Sequence, residues 1–210
     1  MTDARQYAPA TDRNRQPILD ILQKVLPPTG TVLEISSGTG QHGAYFAPQL
    51  QPRHWLPSDV NPTALNSIEA WRIQSSCETL HPPLKLDVTR AQWPVETGND
   101  STLLAYPISA IVNINMIHIS PWSACLGLMA GAHRILPTDG ILYLYGPYKR
   151  DGQHTAPSNA AFDESLRHSN PDWGVRDLET VIEVAQAEGL QLQEIIPMPA
   201  NNLSVIFQRQ

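Results

Sequence analysis

The chain has 210 residues, 41% of them hydrophobic and 16% charged, a composition that suits a folded domain and excludes a disordered chain. Its 14 Lys and Arg against 20 Asp and Glu leave a net charge of -6, which excludes a broad basic face for nucleic acid or an anionic membrane. Local pairs such as Lys149-Arg150 remain as contacts. The N-terminal residues hold no apolar signal core, and the longest apolar run, near Ile108 to Ile119, is short and broken by Asn, so a cytoplasmic protein with no membrane partner is expected.

Cys77 and Cys125 fall in stretches that read as helical, without metal-ligand spacing, and are expected to be reduced, largely buried thiols. The seven histidines include no H-x-x-x-H pair, and no metal is expected. No repeat or low-complexity linker interrupts the chain, so a single domain over 1–210 is expected, with an N-terminal arm and helix over 1–28.

After a polar arm, Ile18, Ile21, Leu22, Val25 and Leu26 have the spacing of a helix buried on one face, with Pro17 in its first turn and Pro27-Pro28 as its stop. Thr31 to Ile35 predicts a first strand ending in a Gly loop. Trp55 to Asp59 predicts a second strand end, Pro62 to about Ser76 a helix, and Leu84 to Val88 a third strand. Ile108 to Asn115 reads as a fourth strand, and Ser120-Pro121 as the start of a helix striped with Cys125, Leu128, Met129, Ala132 and Leu136. Ile141 to Tyr145 is the fifth strand; Leu178, Val181, Ile182 and Ala185 mark a last helix ended by Gly189. Leu190 to Ile196 and Leu203 to Phe207, too close for a crossover helix, are predicted to pair antiparallel. Such alternation predicts a mostly parallel α/β sheet with helices on both faces, which binds ligands beyond the carboxyl ends of its strands.

Glu34-Ile-Ser-Ser-Gly38-Thr-Gly40 follows the first strand, and its glycines allow a sharp turn and close approach to a ligand. Gly38-Thr-Gly40-Gln-His-Gly43 also spells G-x-G-x-x-G, so the loop alone does not choose between a nicotinamide dinucleotide and S-adenosylmethionine. The acid inside the strand, the two small residues before Gly38 and the antiparallel ending favour the second. With Asp59 ending the second strand and Asp87 following the third, the sequence resembles class I S-adenosylmethionine-dependent methyltransferases, which have a Rossmann-like sheet of seven strands. The resemblance implies that Asp59 accepts hydrogen bonds from the ribose hydroxyls, that Asp87 and Val88 border the adenine, and that Gly38 to Gly40 line the methionine portion, with Glu34 and Ser36 also binding the cofactor. Asp59 and Asp87 each read alternatively as a helix cap.

Asn113-Ile-Asn115-Met-Ile-His118-Ile-Ser-Pro-Trp122 places polar groups where a reaction centre is expected. Asn115 reads as a residue that orients cofactor or substrate, or that satisfies backbone groups at a strand end. His118 has the ordinary pKa of a general base, and reads equally as a hydrogen-bonded packing residue. Pro147 to Gly174 is long for a loop, and Ser158 to His168 reads as a short helix within it, so a structured lid over a substrate is expected, with Trp122, Tyr148, Ser158, Asn159 and Arg167 on the acceptor side. Here the likeness narrows to a family of uncharacterised methyltransferase-like proteins of bacteria and animals, a domain of unknown function. It is carried by Arg13-Asn-Arg-Gln-Pro-Ile18, Asn115 to Trp122, Tyr145-Gly-Pro-Tyr148, Ser158 to Asp163, Trp173-Gly-Val-Arg-Asp177 and Met198-Pro-Ala-Asn-Asn202. It implies an N-terminal arm, with Arg13, Asn14 and Arg15, that folds over the cofactor end, where an Arg such as Arg13 pairs with the methionine carboxylate; the arm reads alternatively as an ordinary solvated one. The expected activity is transfer of a methyl group to a small molecule, against a non-catalytic S-adenosylmethionine-binding module or a nucleotide-dependent oxidoreductase.

Overall fold

The computed structural model describes residues 3–97 and 105–210. The chain divides into two compact units, Met1–Asp87 with Gln92–Val112, and Val88–Ala91 with Asn113–Gln210. Its strands form a seven-stranded sheet in the order β3-β2-β1-β4-β5-β9-β8, and a separate two-stranded hairpin pairs β6 with β7. Strands β1 (Thr31–Ile35), β2 (His54–Asp59) and β3 (Leu84–Lys85) pair in parallel, whereas β9 (Asn202–Arg209) runs antiparallel to both β5 (Ile141–Gly146) and β8 (Leu190–Met198). The mostly parallel α/β sheet with an antiparallel ending expected from the sequence is therefore present.

In the first unit, α1 (Pro9–Val25) precedes β1, α2 (Gln41–Phe46) and α3 (Pro62–Ser75) flank β2, and a short α4 (Pro94–Thr97) follows β3. Every residue of β1 is buried, as in a strand covered on both faces, so it reads as a mostly apolar run opened by Thr31 and interrupted by Glu34. The first helix differs from its expected start. It begins at Pro9, whose fixed φ suits a first turn, and continues through Pro17. The missing N–H of Pro17 is tolerated because Ile18, Leu19, Ile21 and Leu22 are all buried, and packing outweighs a lost internal hydrogen bond. Cys77 also departs from its expected place: it lies half-buried just beyond Ser76, the left-handed C-cap of α3.

Strand β4 (Ile108–Ile114) leads into the second unit, which continues with α5 (Trp122–Ile135), β5, the β6 (Lys149–Arg150) and β7 (Gln153–His154) hairpin, α6 (Pro157–Ser169), α7 (Leu178–Ala187), β8 and β9. Leu128, Met129, Leu144, Val181 and Phe207 are buried in its core, where the Tyr143 hydroxyl is paired with Ser204 Oγ at 2.6 Å. The long connection after β5 is ordered as the hairpin and α6 rather than as irregular loop.

Candidate functional site

The loop after β1 is a sequence of left-handed backbone turns: Ser36, Gly38 and Gly40 have φ of 57°, 57° and 85°. A serine in that region is strained by its Cβ, so the surrounding structure must hold it there, as is common at ligand-binding loops. The loop is pinned by Gly40 N–H to the Ser37 carbonyl (3.1 Å), by Ser37 N–H to the Ser58 carbonyl (2.8 Å) and by Ser58 N–H to Ser37 Oγ (3.1 Å). At the end of β2, Asp59 receives the Gly38 N–H on Oδ2 at 3.0 Å and the Asn61 N–H on Oδ1 at 2.9 Å. Each carboxylate oxygen keeps a further lone pair for an incoming hydroxyl or ammonium. The two glycines face different surroundings. A Cβ on Gly40 would lie 2.7 Å from the Ile68 Cα, so the loop is seated directly on α3, whereas a Cβ on Gly38 would meet nothing within 4 Å. The resulting cradle has a packed floor and open space above Gly38.

Glu34 sits behind the cradle, 2% exposed, and accepts the Trp55 indole N–H at 3.0 Å. Burial pushes its carboxyl up to about 7; hydrogen bonds from Trp55 and Ser37 act downward, and the charge of Asp59 adds to the upward push. Asp87 is half-buried just after β3. The N-terminal segment is tied to the loop through a relay: Gln6 N–H donates to Ser67 Oγ at 2.8 Å, and the Ser67 hydroxyl donates to the Thr39 carbonyl at 2.7 Å. The Ala8 N–H reaches Gln41 Oε1 at 2.6 Å, and the Trp71 indole donates to the Gln6 carbonyl at 3.0 Å. Residues 6–8 are thus tied to the loop and to α3, while Arg13 lies on α1 and is exposed.

In the second unit Asn115 ends β4 in a left-handed conformation, φ 65°, with its N–H on the Tyr145 carbonyl at 2.8 Å. His118, fully buried, accepts the Arg176 backbone N–H on Nδ1 at 3.3 Å, which places the ring proton on Nε2. Among the described residues Nε2 has no partner, and the equally buried Tyr148, edge-on to His118 at 5.0 Å between ring centroids, carries a hydroxyl without one. Burial, reinforced by the charge of Arg176, pushes the His118 imidazole down to about 3. The ring is therefore a neutral donor near pH 7, with its basic nitrogen engaged by backbone.

A cavity of about 360 Å³ is lined by Trp122, Lys149, Gly152, Arg167, Val175, Arg176, Asp177 and Thr180. Trp122 and Arg167, expected on the acceptor side, meet here. Tyr148 is buried in the core, Ser158 is exposed on α6, and the Asn159 amide donates to Thr155 Oγ1 and to the Asn201 carbonyl, both at 3.0 Å, tethering α6 to the turn before β9. Arg176, Asp163 and Asp177 organise this region but were not selected from the sequence. Asp163 receives Val175 N–H (2.7 Å), Arg167 Nε (3.2 Å), Lys149 Nζ (3.2 Å) and His154 Nε2 (3.3 Å). The available signals were the phrase Ser158 to Asp163, inside the lid, and the phrase Trp173 to Asp177, which runs past its end.

This strand order, with β9 reversed between β5 and β8, defines the class I methyltransferase fold, and solved structures agree. An O-methyltransferase family protein from Burkholderia thailandensis superposes with a TM-score of 0.77 at 16% identity over 96% of this chain and 57% of that one. An O-methyltransferase family 2 protein from Planctomyces limnophilus, in complex with apigenin, gives 0.75 at 17% over 96% and 60%. Human N-acetylserotonin methyltransferase, in complex with S-adenosylmethionine, gives 0.72 at 10% over 95% and 52%. The chain thus spans little more than half the length of these proteins. The chain belongs to the family described as "Protein of unknown function (DUF938)", which matches residues 5–209.

Proposed function

We propose that the chain is an S-adenosylmethionine-dependent methyltransferase acting on a small molecule. The observation that carries this reading is the Asp59 carboxylate, fixed by the Gly38 and Asn61 N–H groups beside a left-handed loop with open space above Gly38. An acceptor pair at a strand end suits the two ribose hydroxyls. Ser36 and Gly38 to Gly40 are assigned to the methionine portion, with Glu34 behind them, and Asp87 with Val88 to the adenine. Asn115 is assigned to orientation, and Arg13 on exposed α1 to the methionine carboxylate. The acceptor is assigned to the second unit, where Trp122 and Arg167 line one cavity, while Tyr148, Ser158 and Asn159 lie outside that lining. The structural neighbours support a small-molecule acceptor, since one is a complex with apigenin and another is an N-acetylserotonin methyltransferase.

Methyl transfer needs the nucleophile aligned behind the S–CH3 bond, and desolvation alone prepares an acceptor that is already deprotonated. His118 then acts as a buried hydrogen-bond donor through Nε2 rather than as a base, because Nδ1 holds the Arg176 N–H. That same state favours a second reading, a non-catalytic S-adenosylmethionine-binding module. Isothermal titration with S-adenosylmethionine and with NAD tests the cofactor: the first should bind, and Asp59→Asn should weaken it roughly tenfold or more through the lost charge-assisted hydrogen bonds. Binding of NAD alone would sink the proposal. Labelled methyl transfer into a small-molecule extract separates the two readings, because a binding module leaves the label at background.

A further inference from the structure

The cavity of the second unit gathers more positive than negative charge, with three cations in its lining against Asp177 there and Asp163 beside it. Lys149, Arg167 and Arg176 come from the β6 hairpin, from α6 and from the segment before α7, and all three line one space of about 360 Å³. The carboxylates nearby do not fill it. Asp163 has both oxygens occupied, Oδ1 by Val175 N–H and Arg167 Nε, Oδ2 by Lys149 Nζ and His154 Nε2, and its side chain is only 8% exposed. Asp177, the acidic lining residue, accepts the Gly152 N–H at 2.7 Å and caps α7 through the Thr180 N–H at 3.5 Å.

The cations, by contrast, retain donors. Lys149 uses one of its three N–H bonds on Asp163, and Arg167 presents that carboxylate only its Nε. Arg176 donates Nε to the Ile117 carbonyl at 2.8 Å, and Nη2 to the Ser120 and Asp172 carbonyls at 2.6 and 2.9 Å, so its Nη1 donors are unengaged among the described residues. These partners are neutral carbonyls, and Arg176 forms no ion pair among the described residues. Its guanidinium lies over Trp122, 5.5 Å from the ring centroid, which holds the donor plane in place. Burial chiefly, with the like charge of Arg167, disfavours the Arg176 cation against the favourable charges of Asp163 and Asp172, to which a bound anion would add.

We propose that this cavity binds a small organic oxyanion, a carboxylate or phosphate carried on a metabolite, with Arg167, Arg176 and Lys149 as its hydrogen-bonding cations. Guanidinium forks match the paired oxygens of such groups, and the volume falls at the lower end of small-molecule sites. The inference uses only second-unit residues and does not depend on methyl transfer.

The test is isothermal titration of the full chain with sodium phosphate and with succinate, at ionic strength held constant with sodium chloride so that screening does not vary. At least one anion should bind the wild type, and the one preferred distinguishes a phosphate from a carboxylate ligand. Arg167→Gln and Lys149→Gln should each weaken that binding roughly tenfold, the loss of one charge-assisted hydrogen bond. The Arg167 side chain is 52% exposed, so Arg167→Gln should unfold at the wild-type temperature and report binding alone. Failure of both anions to bind at millimolar concentration, or unchanged binding in Arg167→Gln, overturns the proposal.

Discussion

In the first unit the candidate site is made of backbone: three residues at positive φ, a carboxylate held by two main-chain N–H groups, and a glycine with open space above it. In the second unit it is made of side chains drawn together from α5, the β6 hairpin, α6 and the start of α7. A backbone site is intolerant of an added Cβ but keeps its shape when side-chain charge changes. A side-chain site shifts with every charge around it. The difference predicts where each unit breaks.

The largest effect is expected at Gly40. A methyl group there would meet the Ile68 Cα at 2.7 Å, on a residue with φ 85°, and neither the backbone of α3 nor the turn can give way cheaply. Left-handed strain and overpacking together should make Gly40→Ala about 3 kcal/mol less stable, measured by urea unfolding. A loss under about 1 kcal/mol would mean that the loop does not rest rigidly on α3.

Acid should next separate the two units, because their buried ionisable groups titrate in opposite senses. Burial raises Glu34 from 4.5 to about 7, so its stabilising contribution is complete below about pH 4.5 and is lost as pH rises through 7. Burial lowers His118 from 6.5 to about 3, so its contribution is complete above about pH 6.5 and is lost as pH falls toward 3. The Glu34 shift corresponds to about 3 kcal/mol between the ends of its window. Glu34→Gln keeps an acceptor for the Trp55 indole but removes the titration. It should match the wild type near pH 4.5 and exceed its stability by about 3 kcal/mol near pH 8. Parallel stability curves for the two proteins between those pH values would show that Glu34 is not held protonated. Hydrogen exchange resolved by residue should assign the acid-induced loss to amides around His118.

What was legible in the sequence follows the same division. The strands, the Gly loop and the reversed ending could be read because each is local: five consecutive apolar-rich residues, a glycine turn, two strands too close for a crossover. The start of α1 could not, since Pro17 looks like a helix opening and only the burial of Ile18 to Leu22 shows that packing carries the helix across it. His118 reads as a base from its ordinary pKa, but its neutrality depends on complete burial and on the Arg176 N–H, 58 residues away in the chain. Asn159 looks available for a substrate until its amide is found engaged with Thr155 and Asn201. Lys149 is legible only as half of a basic pair and Arg176 only as part of the phrase Trp173 to Asp177, since their common cavity exists only after four segments have met.

The smallest effect on stability is expected at Gly38, and it sharpens the comparison most. Its φ of 57° lies in the ordinary left-handed region, and a Cβ there would touch nothing within 4 Å. Gly38→Ala should therefore lose only about 1 kcal/mol of folding stability, the intrinsic penalty for an L-residue in that conformation. The space a Cβ would occupy is the space assigned to the methionine portion of the cofactor. Isothermal titration of Gly38→Ala should accordingly show S-adenosylmethionine bound roughly tenfold more weakly or worse, although the protein unfolds almost as the wild type does. If binding survived at wild-type strength, the open space above Gly38 would be solvent rather than a ligand cradle, and the cofactor would have to sit elsewhere in the unit. A backbone site is thereby separable from the fold that carries it: Gly40 holds the loop in place, and Gly38 leaves it open.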